Sequence, residues 1–283
     1  MRTNQIKKEF VYWLLGSGGL VLIPFIGFDI QVGGFETRGN QLVELNILEG
    51  PHLYLAHHAL AFLPVFLFGI VLNWFDFRVF FWKDLMVPMI LMALFFIAWD
   101  ILFTSLGVWR FNESYIQGSR FMNLPIEEIC WFFIIPFCSL FVYRIVSLKW
   151  QSKPGAFLKL QVGLLLGLFV LYILNIDRIY TASSISISMS VLGLSILVKW
   201  DRFGQFIASF IVLLIPMGLF NGMLTGLLTK EALVQYNSAE FGGIRMMSFP
   251  MEDLGFGFSF LMGILLLSDF IKNWLSANYI HTK

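Results

Sequence analysis

Between residues 52 and 271 the chain is a succession of apolar runs, most of them long enough to cross a lipid bilayer. The hydrocarbon core takes roughly 20 apolar residues as a helix, because every backbone N–H must find its acceptor within the segment. Eight runs qualify as candidates: 11–28, 52–74, 84–109, 124–146, 157–176, 180–198, 204–228 and 249–271. With 58% hydrophobic and 13% charged residues the chain lies far from a soluble domain, which is about half apolar and a quarter charged. The expected fold is an all-α polytopic membrane protein of about eight spans, or seven if the first run does not cross. That first run contains Gly16, Gly18, Gly19 and Pro24, so it reads as a broken or re-entrant helix, and no small-x-small cleavage site follows it closely.

Basic residues orient the spans. With eight crossings and the N-terminus inside, the outer loops keep only Arg38, Arg110, Arg120, Arg178, Lys230 and Arg245 of the 19 Lys and Arg. An excess of cytoplasmic Lys and Arg is the usual pattern, so both termini are expected in the cytoplasm of a cell-membrane protein. A net charge of +1 gives no sign of a nucleic-acid partner. Cys130 and Cys138 fall in one apolar run and read as small hydrophobes. No Gly-x-Gly-x-x-Gly or Walker pattern is present, so no nucleotide cofactor is expected.

The chain repeats itself. Phe111-Asn112, Gly118, Arg120 and Leu124-Pro125-Ile126-Glu127-Glu128 return as Tyr236-Asn237, Gly243, Arg245 and Phe249-Pro250-Met251-Glu252-Asp253, each 125 positions later. Asp76 and Asp201 share that offset, while Asp100 and Thr104 match Asn221 and Thr225 at 121. Four helices separate equivalent points, so the two copies have one orientation and form tandem parallel repeats about an axis along the membrane normal. The expected division is an extension over 1–50 with a candidate first span, repeats over 52–150 and 151–273, and a tail over 274–283.

The repeated acids are the chemical candidates. A proline suits the first helical turn, and acids just after it sit beside the positive end of the helix dipole, so helix capping at the interface is the plain structural reading. Against it, both acidic pairs run straight into apolar sequence, and Asp100 and Asn221 lie inside long apolar spans. Ionisable groups in membrane helices are costly and usually mark function. Burial raises a carboxyl pKa while a helix terminus or an Arg lowers it, and a carboxylic acid kept protonated is what a general acid requires. Adjacent helical residues point about 100° apart, so the two acids of a pair cannot both face one cavity. Their spacing from proline favours Glu127 and Glu252 as the chemical members, with Glu128 and Asp253 in support, fixing the helix end or placing Arg120.

At these residues the chain resembles the integral-membrane lycopene cyclases, the carotenoid β-cyclases that occur as two small subunits or one fused chain. The matching text is Trp99-Asp100-Ile101-Leu102-Phe103-Thr104 through Trp109, with Phe111-Asn112 and Pro125-Ile126-Glu127-Glu128. It returns as Asn221-Gly222-Met223-Leu224-Thr225, Tyr236-Asn237, Gly243-Ile244-Arg245 and Pro250-Met251-Glu252-Asp253. The first half is similar to the c-type subunit and the second to the d-type. The chain differs at Arg110, at Leu254-Gly255-Phe256-Gly257 and in the loop Leu228–Val234, and residues 1–50 have no obvious counterpart. The resemblance implies a redox-neutral, cofactor-free closure of the ψ end group of an acyclic carotenoid to a β-ionone ring. It implies catalytic roles for Glu127, Glu252, Glu128, Asp253 and Asp100. Trp99, Trp109, Trp131 and Phe132 would stabilise the passing cation by their ring faces. Asn112, Asn221, Asn237, Arg120 and Arg245 would complete the substrate site. The implied partners are a lipid-soluble polyene drawn from the bilayer, the membrane lipids, and other carotenoid enzymes.

Two further features carry less. His52, His57 and His58 are too few for a membrane di-iron centre and are expected at the interface, so no metal is expected. Ser183, Ser184, Ser186, Ser188 and Ser190 are suited to hydrogen bonds across helices. The competing functions are cyclisation of another prenyl chain, and a carrier of a hydrophobic or ionic solute, since parallel repeats also build transporters.

Overall fold

The computed structural model describes residues 34–36, 50–74 and 84–280. Among them are seven helices: α1 (Leu53–Trp74), α2 (Met86–Ser105), α3 (Ile126–Lys149), α4 (Leu158–Leu174), α5 (Ile179–Leu197), α6 (Phe203–Leu224) and α7 (Glu252–Ile280). Six are long and apolar enough to span a membrane; α4, with 17 residues, is a shorter apolar helix. The chain is an all-α polytopic membrane protein. The expected run at 11–28, and Asp76, lie outside the described residues. The long apolar runs at 84–109 and 204–228 stop being helical at Ser105 and Leu224, where Gly107 (φ 72°) and Gly226 (φ 91°) take the left-handed turn that ends many helices.

The repeat is a structural one. Helices α1, α2 and α3 correspond to α5, α6 and α7, with α4 as the connector. Helix α1 packs on α3 as α5 packs on α7, and α2 packs on α7 as α6 packs on α3, so each half lends its middle helix to the other half. Short strands precede the third helix of each half: β2 (Arg120–Phe121) with β3 (Leu124–Pro125), and β5 (Arg245–Met246) with β6 (Phe249–Pro250). Their registers agree, Arg120 opposite Pro125 and Arg245 opposite Pro250, and Met122 and Met247 sit at positive φ in the two turns.

The two-fold relation is clearest in the remaining strands, β1 (Trp109–Phe111) and β4 (Val234–Tyr236), which pair antiparallel. Arg110 faces Gln235, its own equivalent, while Trp109 faces Tyr236 and Phe111 faces Val234. The bonds that extend the ribbon are also matched: Asn112 N–H to Leu233 O and Asn237 N–H to Val108 O, both 2.8 Å. A pseudo-two-fold axis therefore passes between Arg110 and Gln235, whose side chains bond at 2.8 Å.

Helix α5, the weakest of the later runs in hydropathy, has 83% of its best apolar window buried by protein. Of its serines, Ser184 and Ser188 bond across helices as expected, while Ser183 and Ser186 bond carbonyls of their own helix. Ser184 Oγ reaches Glu252 O at 2.7 Å, and Ser188 Oγ reaches Gly255 O and Ser259 Oγ across the α5–α7 contact. Gly255 is what lets these helices close: a Cβ there would lie 2.5 Å from Ser184 Oγ.

Candidate active site

Three carboxyl groups meet in one cavity. Asp100 from α2, Glu128 from α3 and Asp253 from α7 all line it, each less than a tenth exposed, together with Trp109, Trp131, Phe132, Tyr180, Asn221, Tyr236 and Phe256. Each acid is differently held. Asp100 Oδ1 accepts from Trp109 Nε1 at 2.6 Å and from Thr104 Oγ1 at 3.3 Å. Asp253 is ringed by donors: the Tyr180 hydroxyl on Oδ1, the Tyr236 hydroxyl within 3.2 Å of both oxygens, and Asn221 Nδ2 at 3.2 Å on Oδ2. Among the described residues Glu128 accepts from the Tyr54 hydroxyl, through Oε2. Tyr236 lies on β4, and burial followed by the neighbouring Asp253 carboxyl raises its phenol well above the usual tyrosine range, so it remains a donor at physiological pH.

The other acid of each pair turns away. Glu127 Oε1 accepts the Gln117 backbone N–H at 2.8 Å, and Glu252 Oε1 accepts the Gly242 N–H at 2.7 Å and the Thr181 hydroxyl at 2.5 Å. Both tie a preceding loop to the start of a helix. The Oε2 atoms of both are buried without a hydrogen-bond partner among the described residues. The sequence reading favoured Glu127 and Glu252 over their neighbours; the geometry brings Glu128 and Asp253 to the cavity, because one residue step rotates the side chain by about 100°.

The remaining candidates divide. Trp109, Trp131, Phe132 and Asn221 line the cavity; Trp99, Asn112, Asn237, Arg120 and Arg245 do not. Trp99 is packed among Phe96, Phe103 and Phe256. Asn112 and Asn237 accept, through Oδ1, the N–H groups of Ser114 and Ala239, two residues on. The arginines bind neither acidic pair. Arg120 is paired with Glu113 and reaches Asn123 O; Arg245 is paired with Glu36 and reaches Ser248 O. Residues 34–36 of the N-terminal extension lie beside β4, with Glu36 N–H on Tyr236 O at 2.9 Å. Glu36→Gln is thus expected to weaken the Arg245 pair by about 1 kcal/mol, read as a lower Tm with activity largely kept.

Three tyrosines, Tyr54, Tyr180 and Tyr236, escaped the sequence reading as site residues, and two histidines lie elsewhere than expected. Tyr54 and Tyr180 lie 126 positions apart and each donates to a cavity acid, so extending the repeat comparison upstream would have found them. Of the histidines expected at the interface, only His52 is exposed. His57 and His58 are buried, with Nε2 on Phe220 O at 3.2 Å and on Glu127 O at 2.7 Å. His58 occupies the place of Ser184, which holds the equivalent carbonyl of Glu252; these imidazoles serve helix packing.

The cavity has a volume of about 190 Å³ and an apolar lining below the acids. On α3 the lining runs from Glu128 to Val142, about 21 Å at 1.5 Å per residue, and on α6 from Phe210 to Thr225. A dry hydrocarbon cavity of about 150 Å³ can hold a benzene ring, so a ring-sized group fits here and a longer chain must continue along the helices. Acids gathered at one end of an apolar slot can exchange protons with a hydrocarbon.

A lycopene cyclase family model matches residues 51–146 and again residues 177–271, one match for each half of the bundle. The chain belongs to the lycopene cyclase family. Comparison with curated proteins and with solved structures gives no match. The two matched segments contain all three cavity acids, and both acids that hold the loops. The chain is thereby a carotenoid cyclase in the general sense, acting on a lipid-soluble polyene within the membrane.

Proposed function

We propose that this chain closes the ψ end group of an acyclic carotenoid into a β-ionone ring, with Glu128 giving the proton and Asp253 taking one back. The carrying observation is the placement of three buried carboxyls at one end of an apolar, aromatic-lined cavity. Among the described residues the donor on Glu128 is the Tyr54 hydroxyl, on Oε2, which leaves Oε1 for a proton aimed at the substrate. Protonation of the terminal double bond leaves a tertiary cation. The next double bond attacks that cation: one of its carbons forms the bond that closes the six-membered ring, and the other takes the positive charge. Loss of the neighbouring proton to a base restores a double bond. One proton enters and one leaves, so the product is an isomer of the substrate.

Asp253, surrounded by the donors Tyr180, Tyr236 and Asn221, has the setting of a carboxylate that receives a proton. Asp100 adds a third carboxyl facing the cation. Trp109, Trp131 and Phe132 line the slot, and a cation over an aromatic face gains roughly 2 kcal/mol where water is excluded. Oriented with the acids near the outer surface, the slot lets the polyene lie along α3 and α6. Contact with other carotenoid enzymes, which would hand over so insoluble a substrate, belongs to the same reading.

The test is expression in a cell that accumulates lycopene, with pigments separated by chromatography. The expected result is conversion to a ringed carotenoid of unchanged mass. Lycopene left unaltered beside a membrane-inserted chain would defeat the reading.

A further inference from the structure

The two-fold repeat builds two equivalent places for an end group, and the side chains treat them differently. One place is the cavity, between α1, α3, α6 and α7. Its twin lies between α5, α7, α2 and α3. At three matched positions the cavity wall has the smaller residue. Ala61 on α1 corresponds to Ile187 on α5; Met217 and Leu224 on α6 correspond to Phe96 and Phe103 on α2. Gly257 on α7 corresponds to Phe132 on α3, and both of these line the cavity.

The larger residues fill their side. Phe96 and Phe103 are fully buried, and Ile187 is buried. Phe96 sits 4.5 Å from the Phe256 ring and 4.7 Å from the Phe260 ring, centroid to centroid. Backbone packing follows the side chains: α2 lies against both α3 and α7, whereas α6 packs chiefly on α3 and leaves the slot beside α7. Interiors filled at native density admit no extra group without a shift of the walls.

We propose that the chain holds one end-group chamber rather than two, kept open by Gly257 and Ala61 and matched by a twin closed by Phe96, Phe103 and Ile187. The identity of the substrate rests on the cyclase reading above; the single chamber does not. Each binding event then engages one end of a polyene. A stiff conjugated chain cannot turn back on itself, so closing the second ring requires release and re-entry in reverse. A free one-ringed intermediate is the necessary consequence.

The walls can be exchanged. A Cβ on Gly257 would lie 3.1 Å from Met217 Cε, the end of a flexible side chain, so Gly257→Ala is tolerated while Gly257→Phe puts the twin's ring into the slot. Ala61→Ile does the same from α1, in case Gly257→Phe fails to fold. The experiment titrates purified, detergent-solubilised chain with lycopene, counts bound pigment per chain, and follows products over time. The expected results are one lycopene per wild-type chain, at least ten-fold weaker binding in a folded Gly257→Phe or Ala61→Ile chain, and free one-ringed product before any two-ringed product. Two lycopenes per chain, none, undiminished binding by both variants, or two-ringed product with no free intermediate would each overturn the single chamber. One lycopene bound with no ring formed would instead sink the cyclase reading and leave the chamber standing.

Discussion

Glu128→Gln is expected to lower ring closure by about 10²–10⁴-fold, the usual contribution of a positioned general acid, with the folded protein retained. Gln keeps an amide oxygen able to accept the Tyr54 hydroxyl, and it has no proton to give. Asp253→Asn should cost a similar factor for a different reason. The carboxyl accepts from Tyr180, Tyr236 and Asn221, and an amide would set its own N–H₂ against one of those donors. That variant should therefore lose some stability as well. The same substitution at the neighbouring positions, Glu127→Gln and Glu252→Gln, should cost less than about ten-fold, because Oε1 still accepts the loop N–H. Initial rates on lycopene in membranes, normalised to folded protein, separate the two sets. A reversed pattern, with Glu127→Gln and Glu252→Gln inactive and Glu128→Gln active, would move the chemistry to the outer acid of each pair.

Much of this was legible in the residues. Long apolar runs dictate spans because lipid offers the backbone no partner, and the runs from 52 to 271 became the seven described helices within a few residues. The offset of 125 located both loop-to-helix junctions, and these superimpose down to the turn residues Met122 and Met247. Which acid of a pair faces the cavity was not legible. Spacing from proline gives the turn of the helix, while the facing direction depends on where the partner helices lie. Nor could the sequence show that α2 and α6 trade places between the halves, an arrangement that brings Asp100 of the first half into one cavity with Asp253 of the second. The histidines misled for a related reason: a cluster near a span boundary resembles an interfacial belt, whereas packing against α3 and α6 buries His57 and His58 with their donors satisfied. The role of Glu36 was equally hidden, since nothing local links it to Arg245.

The two acids that hold loops should reveal themselves through stability. Glu252→Leu removes the acceptor of the Gly242 N–H and of the Thr181 hydroxyl, both at a buried helix start. A buried donor left without a partner costs roughly 1–3 kcal/mol, so two amount to about 2–6 kcal/mol. Glu127→Leu strands one donor, the Gln117 N–H, and should cost about 1–3 kcal/mol. Each also loses an anion beside a helix N-terminus, a further effect of about 0.3–1 kcal/mol. The order of thermal inactivation in detergent should be wild type, then Glu127→Leu, then Glu252→Leu, with both Gln variants close to wild type. Leu variants as heat-resistant as the wild type would mean these carboxyls do not hold the loops, and their two unpartnered oxygens would then be the first place to look for the proton.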